Sequence, residues 1–266
     1  MRTIWAMIRA SAISAASYRL SLLVSVLGLF ASIVPLYFVS TALQGVMGTK
    51  IEQEGGQYFA FVLVGTIVLS FVGQAINSLP NAVQGSVGSG MLDTLLSVPA
   101  STTVVFTGLT SYGYLWTFAR ALLTLVVGAF LGAQLEWARV FPALLILVLI
   151  VLSYVPFGLL AAALIVAFRT DLELRRGVLL ISTLLGGVYY PTQIIPSWIQ
   201  TISGFVPLTY GLRSLRRVLL EGVPIWHTAA DLGVLVGMTA VLALLGVMAL
   251  ATAFQYARRT GTLAQY

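Results

Sequence analysis

Residues that could carry out chemistry are few in this sequence. Cysteine is absent and His227 is the single histidine, so a thiolate nucleophile and a metal site with paired histidines are excluded. The eight Asp and Glu residues lie at or beyond the ends of the apolar segments, which leaves no mid-membrane acid of the kind that ion-driven carriers use. The G-x-x-x-x-G-K-S/T, G-x-S-x-G and H-E-x-x-H motifs do not occur. The sequence therefore predicts a non-enzyme with no catalytic residue, metal or cofactor of its own, whose energy source lies on another chain.

Arg120 is a charged residue near the middle of a long apolar segment, with Trp116 one helical turn before it. A charge in lipid is costly, so we expect this side chain to face protein or water. One interpretation is a residue of the substrate pathway or of subunit pairing. The other is a snorkelling or helix-capping arginine, which would apply if the helix began later than the pattern suggests.

The elements that position these residues are membrane-spanning helices. Hydrophobic residues make up 59% of the 266 residues and charged residues only 8%, so a soluble domain, a disordered chain and a disulfide scaffold are excluded. Several charge-free stretches exceed the ~20 apolar residues that cross a bilayer, and they lack the alternation of barrel strands. We predict an all-α membrane protein of one domain, 1–266, with six transmembrane helices. Their predicted bounds are 20–44, 57–79, 106–132, 140–168, 177–195 and 229–257.

The basic residues predict the orientation of these helices. Six spans place both termini on one side, which then carries eight Lys and Arg residues against five on the other. Basic residues collect in cytoplasmic loops, so both termini are predicted to be cytoplasmic in a multi-pass protein of the cell inner (plasma) membrane. The net charge of +6 is scattered along the chain and does not indicate a nucleic-acid partner. Membrane lipid is the expected surrounding.

Residues 1–18 precede the first span. Met1, Ile4, Trp5 and Ile8 share one helical stripe, and the arginines fall on another. This pattern favours an amphipathic helix lying in the cytoplasmic interface. The alternative is a frayed, weakly ordered N-terminus.

Residues 82–99, between the second and third spans, are too polar for lipid. The segment begins with glycines, which are poor helix formers, and from Gly90 onward its pattern changes. Met91, Leu92, Leu95 and Leu96 then form one apolar face. Pro99 would end this short amphipathic helix on the cytoplasmic side. The alternative is a connecting loop with a few interfacial leucines.

Residues 194–222, before the last span, form a second segment of this kind. Pro196 and Pro207 divide it into pieces. Its aromatic residues suit the headgroup level, and two short helices that dip into the outer leaflet would fit if protein covered their irregular backbone. Leucines at 208, 212, 215 and 219 define one face of the second helix. Arginines at 213, 216 and 217 are predicted on the opposite face, as ligands for anionic lipid or substrate or as interfacial anchors.

Both segments carry the resemblance to a known family. Gly90-Met-Leu-Asp-Thr-Leu-Leu-Ser-Val-Pro99 is similar to the G-T-L-E-x-L-L-x-x-P signature of the ABC-2 type permeases. Gly187-Val-Tyr-Tyr-Pro, followed by Pro-x-Trp-Ile, Val206-Pro-Leu-Thr-Tyr and Arg213-x-x-Arg-Arg-x-Leu-Leu-Glu-Gly, resembles that family's closing motif. The resemblance implies the membrane subunit of an ATP-driven ABC exporter, which pairs with a separate ATPase subunit that holds ATP and Mg.

The resemblance also implies residue roles. It makes 82–99 a coupling helix that sits in a groove of the ATPase, and 194–222 an outer re-entrant hairpin that caps the exit path. A second permease subunit, identical or different, would face this one across a gap lined by spans one, two and five. The ATPase-coupling residues would be Gly90, Met91, Leu92, Asp93, Leu95, Leu96 and Pro99, with Asp93 in the position of the family's Glu. The outer gate would consist of Tyr190, Pro191, Pro196, Trp198, Pro207 and Tyr210.

The chain departs from the family pattern at two places. Residues 85–89 are small and neutral where charged residues are usual, and Met91 replaces the Thr. The substrate type closest to the pattern is a drug, a lipid or a natural product, moved outward. The alternative function is an ATP-independent carrier or channel, which would transport without any other subunit. A membrane enzyme acting on lipid headgroups would need clustered polar residues at one interface, and the sequence does not contain such a cluster.

Overall fold

The computed structural model describes residues 19–88, 102–168 and 173–259. Within these ranges the regular structure is helical and no strand occurs, which confirms the all-α class. The α-helices of these ranges are α1 Arg19–Met47, α2 Tyr58–Gly88, α3 Thr102–Phe130, α4 Val140–Phe168, α5 Leu174–Leu185, α6 Ser197–Ser203, α7 Pro207–Leu220 and α8 Ala229–Arg259. The loops 48–57 and 131–139 lie at one end of the bundle together with segment 186–228, which includes α6 and α7. We call this end the hairpin end.

The number of membrane-crossing helices differs from the prediction. Among the described residues, five helices (α1 to α4 and α8) are long and apolar enough to cross a bilayer. The span expected over 177–195 is instead α5, which has 12 residues and ends at Leu185. A helix of that length covers about 18 Å, well short of the ~30 Å hydrocarbon core. Gly187, with a φ of +73°, turns the chain immediately afterwards, so the prediction of six full-length spans is wrong at this position.

The segment predicted as the coupling helix also begins differently. Residues 82–88 are the last turns of α2, which continues past Pro80 to Gly88. Neighbouring helices in a membrane can compensate for the hydrogen bond that a proline removes, so the glycines and Pro80 do not end α2 where the pattern suggested. The other coupling residues, from Gly90 to Pro99, and the predicted interfacial helix at 1–18 lie outside the described residues.

Helix α2 is the centre of the bundle. In its most apolar stretch 67% of the residues are buried, against 11% for α3 and for α8. It contacts α1, α3 and α4, and α4 in turn packs against α8. The approach of α4 to α2 depends on Gly158, because a Cβ at this position would lie 2.8 Å from the Ala75 carbonyl oxygen. The outer faces of the peripheral helices carry large exposed apolar side chains, as expected of surfaces that contact lipid.

The contact at Gly158 gives a first prediction. The Gly158→Ala variant should be less stable than the unaltered protein, because the added methyl group meets backbone atoms that cannot move aside. Overpacking of this kind costs about 1–3 kcal/mol. The thermal unfolding midpoint of the detergent-purified protein measures the effect.

The matched control is Gly73→Ala in α2, where an added Cβ meets no atom within 4 Å. Alanine is the better helix former by up to ~1 kcal/mol, so this variant should be equal or higher in midpoint. A Gly158→Ala protein as stable as Gly73→Ala would contradict the proposed close packing.

Candidate functional site

Helix α7 supplies the polar centre of the hairpin end. Pro207 occupies its first turn, and the predicted leucine stripe is buried against α4 and α8. The same helix carries Arg216, whose side chain is only 2% exposed. The prediction that Arg216 lies on an exposed face with Arg213 and Arg217 is therefore wrong.

Arg216 joins four segments through one guanidinium. Its Nη1 donates to the Gly187 carbonyl at 2.8 Å and to Glu54 Oε2 at 3.2 Å. Its Nη2 donates to the carbonyls of Val188 at 2.8 Å and Phe61 at 3.1 Å, and Nε also donates to Phe61 at 3.3 Å. The guanidinium carbon lies 3.4 Å from the centroid of the Phe61 ring. We call these five residues the Arg216 cluster.

The cluster fits together because Gly65 leaves room for it. A Cβ at Gly65 would lie 2.5 Å from the Val188 carbonyl oxygen and 2.8 Å from Arg216 Nη2. Burial lowers the pKa of Arg216 to about 10, although the Glu54 carboxylate opposes the shift. The group is therefore charged at neutral pH, and its burial is tolerable because each nitrogen is paired.

The two neighbouring arginines of α7 also have acidic partners. Arg213 lies 3.6 Å from Asp231 at the start of α8, and Arg217 lies 4.0 Å from Glu221. Burial raises the pKa of the Glu221 carboxyl; Arg217 opposes this shift and the Glu54 carboxylate adds to it. Glu221 Oε1 is buried without a hydrogen-bond partner in the described structure. Each of these arginines is therefore paired with an acid of the fold and keeps 35% of its side chain exposed.

The Arg216 cluster predicts a large loss of stability when one partner is removed. Arg216→Met leaves Glu54 charged and buried without its partner, which costs about 3–5 kcal/mol. Glu54→Gln leaves the guanidinium charge uncompensated and should also destabilise, while the double variant Arg216→Met with Glu54→Gln should lose less than the sum. Thermal unfolding midpoints of the four proteins measure the coupling.

The control for this cycle is Arg176→Gln, which removes an ion pair with Glu173 whose two side chains are 85% and 73% exposed. Exposed pairs contribute at most about 1 kcal/mol, so its midpoint should stay close to that of the unaltered protein. Additive losses in the double variant would show that the two buried charges do not interact.

Glu221 predicts a pH dependence of stability. The folded protein binds the Glu221 proton more tightly than the unfolded chain does, because the pKa is raised above its ordinary value of 4.5. The resulting contribution to stability is complete below that value and is lost as the pH rises through the raised folded pKa. Glu221→Gln should therefore be more stable than the unaltered protein at neutral pH. Its thermal unfolding midpoint should also change less between acid and neutral pH than that of the unaltered protein. The exposed Glu173→Gln serves as control, and an unchanged slope in Glu221→Gln would rule out this carboxyl as the source.

The Arg216 cluster positions Tyr189, the residue that follows Val188. The hydroxyl of Tyr58, at the start of α2, donates to the Tyr189 carbonyl at 2.8 Å. Two successive backbone carbonyls, those of Val188 and Tyr189, are thereby fixed by side chains of other elements. The Tyr189 side chain lines a cavity between the first three helices.

This cavity has a volume of about 490 Å³. Helices α1, α2 and α3 form its walls within one subunit. Apolar residues of α1 face hydroxyl and amide side chains of α2 and α3, so the surface is amphipathic. The lining residues are Leu29, Ser32, Ile33, Leu36, Thr66, Ile67, Ser70, Gln74, Trp116, Thr117, Arg120, Ala121, Thr124 and Tyr189.

Arg120 is the charged residue of the cavity wall. It lies inside α3, about 15 Å from the helix end at Phe130, so it does not cap a helix and an arginine side chain is too short to reach the interface. Its side chain is exposed and makes no hydrogen bond or ion pair with the described residues. Arg120 therefore lies in the cavity wall, well inside α3 and away from its ends.

The serine and threonine hydroxyls of the cavity donate their protons to backbone carbonyls. Thr117 donates to the Gly113 carbonyl at 2.9 Å, and Thr124 donates to the Arg120 carbonyl, also at 2.9 Å. On the other two helices, Ser32, Thr66 and Ser70 donate in the same way to carbonyls of their own helices. Their oxygens therefore retain lone pairs and act as acceptors toward the cavity.

The predicted gate residues lie together in the segment 190–210, next to the Arg216 cluster. The Tyr190 hydroxyl donates to the Leu184 carbonyl, and Pro191 precedes a 3-10 turn. Pro196 caps α6, while Trp198 is 66% exposed on it. Tyr210 is half-buried against the main core. The segment is therefore folded back on the end of α5, where Ser203 Oγ donates to the Leu185 carbonyl at 2.6 Å.

The charged residues at the start of α5 separate into two groups. Arg175 donates to the side-chain oxygens of Asn81 at 2.7 Å and Asn77 at 3.4 Å, so it ties α5 to α2. Arg176 and Glu173 form an exposed pair. Arg176 and Glu173 are therefore a solvated pair, whereas Arg175 is a structural contact.

Sequence reasoning identified Arg120 and Trp116 and missed the remaining polar wall. A signal for it exists, because Thr66, Ser70 and Gln74 recur at every fourth residue and so form one stripe of α2. In an apolar segment such a polar stripe indicates a surface turned away from lipid.

Comparisons with known proteins agree with this architecture. A family model for the ABC-2 type transporter matches residues 2–220. Inner membrane transport permease YadH of Escherichia coli strain K12 is 26% identical over 182 residues, which cover 68% of this chain and 70% of the relative. Permeases of the same name from Escherichia coli O157:H7 and Shigella flexneri match with the same identity and coverage. The matched region of the family model contains the cavity walls and α7.

Proposed function

We propose, since this chain belongs to the ABC-2 type transporter family and is a membrane transport permease subunit, that it serves an ATP-driven exporter whose ATPase is a separate subunit. Family membership is the observation that carries the proposal. The absence of a phosphate-binding loop from the 266 residues supports it, because ATP and Mg must then be held by another chain. The substrate is of the drug, lipid or natural-product type and moves outward.

The coupling helix transmits the ATPase motion. Its residues, Gly90 to Pro99, follow the end of α2 directly. Helix α2 leads from there to the Arg216 cluster, so a shift of its cytoplasmic end is carried to the hairpin end by a continuous helix. ATP binding closes two ATPase subunits and favours one of two packings of the membrane dimer.

The hairpin end faces the outside in this proposal, and both termini lie in the cytoplasm of a multi-pass inner-membrane protein. Although α5 is short, the chain passes with it from the Asn81 end of α2 to the hairpin end, so both ends of the chain stay on one side and the basic-residue count supports this orientation. The inner-membrane location named for the Escherichia coli relative supports the placement in the inner membrane. Segment 190–210, which contains the predicted gate residues, then provides the outer gate, and the exposed Trp198 lies at the headgroup level or against a second permease subunit.

An ATP-independent carrier or channel is the alternative function. It requires transport by this chain without another subunit. Within the sequence, the acids all lie at or beyond the ends of the apolar segments, where an ion-coupled carrier would be expected to keep one mid-membrane. The alternative therefore lacks an energy source on this chain.

The test is purification of the full chain from its native membrane in mild detergent. An ATPase should co-purify in fixed ratio with the unaltered chain, and Asp93→Lys and Leu96→Asp should each remove it, because they reverse a charge and bury an acid in the predicted coupling face. Quantitative mass spectrometry of the eluate measures the ratio.

Glu136→Lys is the matched control, because it reverses an exposed acid at the hairpin end, away from the predicted ATPase contact. This variant should retain the ATPase. A chain that purifies without an ATPase, under conditions in which a known ABC complex stays intact, would refute the exporter proposal and favour the autonomous carrier.

A further inference from the structure

Arg120 has no counter-ion among the described residues. In the described structure its guanidinium is exposed in the cavity without an ionic partner. The acids of the sequence lie at 52, 54, 93, 136, 171, 173, 221 and 231. Those in the described residues lie in the loops at the hairpin end, in the first turn of α8 or directly before α5.

The described acids of an identical second subunit do not supply the missing charge either. These acids lie at the same levels as in the first subunit, and Arg120 is about 15 Å from the end of α3, whereas an ion pair requires about 4 Å. Subunit pairing between identical chains is thereby disfavoured as the role of Arg120. A negatively charged molecule bound in the cavity would supply this charge at the level of Arg120.

The rest of the wall defines that molecule further. The serine and threonine hydroxyls of the cavity act as acceptors, because their protons go to carbonyls of their own helices. A ligand that satisfies them must carry hydrogen-bond donors near its anionic group. Leu29, Ile33 and Leu36 of α1 and Trp116 of α3 offer apolar contacts to the remainder of the ligand. A volume of about 490 Å³ is within the range of ordinary small-molecule sites, ~300–1,000 Å³.

We propose that the cavity between α1, α2 and α3 binds an amphipathic molecule with one anionic group, which pairs with Arg120, and with hydroxyl or amino donors beside that group. The inference rests on the proposed function, since it names the substrate class of the exporter. Two sources share this chemistry: an anionic lipid headgroup and a soluble amphipathic anion. Trp116 and the apolar side of α1 hold the hydrocarbon chain of the bound molecule, and Tyr189 closes the cavity toward the hairpin end.

The experiment measures binding to the purified full chain in phosphatidylcholine nanodiscs. The probes are 10-bromodecyl sulfate, 10-bromodecanol and 10-bromodecyltrimethylammonium. They have the same brominated alkyl chain and differ in the charge of the headgroup. Bromine quenches tryptophan emission, and the cavity signal is the saturable part that Trp116→Phe abolishes. The sulfate should bind at least about tenfold more tightly than the alcohol or the cation, since a hydrogen bond to a charged group contributes about 1.5–3 kcal/mol.

Variants test the assignment to Arg120. Arg120→Gln should weaken sulfate binding by about tenfold or more and leave the alcohol unchanged, and Arg120→Lys should recover most of the affinity. Arg176→Gln removes an exposed arginine outside the cavity and serves as the matched control. Equal binding of the three probes by the unaltered chain, or sulfate binding that survives Arg120→Gln, would overturn the proposal. The probe comparison needs no variant, so it decides even if Arg120→Gln does not fold.

A second arm distinguishes the two sources. Part of the phosphatidylcholine is replaced by phosphatidylglycerol, which has an anionic phosphate and hydroxyl donors. Competition with the sulfate that requires Arg120 identifies a lipid headgroup as occupant, whereas sulfate binding unaffected by phosphatidylglycerol identifies a soluble amphipathic anion. Because the ATPase is absent from this assay, loss of sulfate preference refutes the ligand, and loss of ATPase co-purification separately refutes the exporter.

Discussion

The buried guanidinium of Arg216 is the interaction on which the hairpin end depends. It joins α7 to the loop before α2, to the first turn of α2 and to the chain that follows α5. An arginine suits this task better than a lysine, because its fixed fork of donors can reach several carbonyls at once. The half-length α5 makes the arrangement necessary: the chain beyond Leu185 is irregular, and its free carbonyls need donors that lipid cannot supply.

Much of the fold could be predicted from the sequence. The lengths and lack of charge of the apolar segments gave the all-α class and the long helices, and the family resemblance is confirmed by the match over residues 2–220. The end of α5 was missed because hydropathy continues through Gly186 and Gly187, although the glycine pair is itself a helix-ending signal. A hydropathy average over many residues does not register two glycines, whereas the backbone leaves the helix there and turns at Gly187.

The site was harder to predict because it depends on contacts between distant segments. Arg216 lies one turn after Leu212, at the border of the leucine stripe, and a helical pattern does not reveal which border residue is buried. Its partners come from residues 54, 61, 187 and 188, which no local pattern connects to α7. Arg120 could be predicted because a charge within an apolar segment stands out in the sequence. The residues around it could not, because they come from three separate helices.

The double attachment of the chain at Val188 and Tyr189 limits how the cavity can change shape. One carbonyl is held by α7 and the next by Tyr58 of α2, so the wall formed by Tyr189 cannot swing outward as an independent flap. Moving it requires either the loss of the hydrogen bonds to the carbonyls of Val188 and Tyr189 or the displacement of α7, the loop 48–57 and the start of α2 as one rigid block. Access on this side of the membrane is thus expected to behave as a two-position latch, with no stable half-open state between its positions.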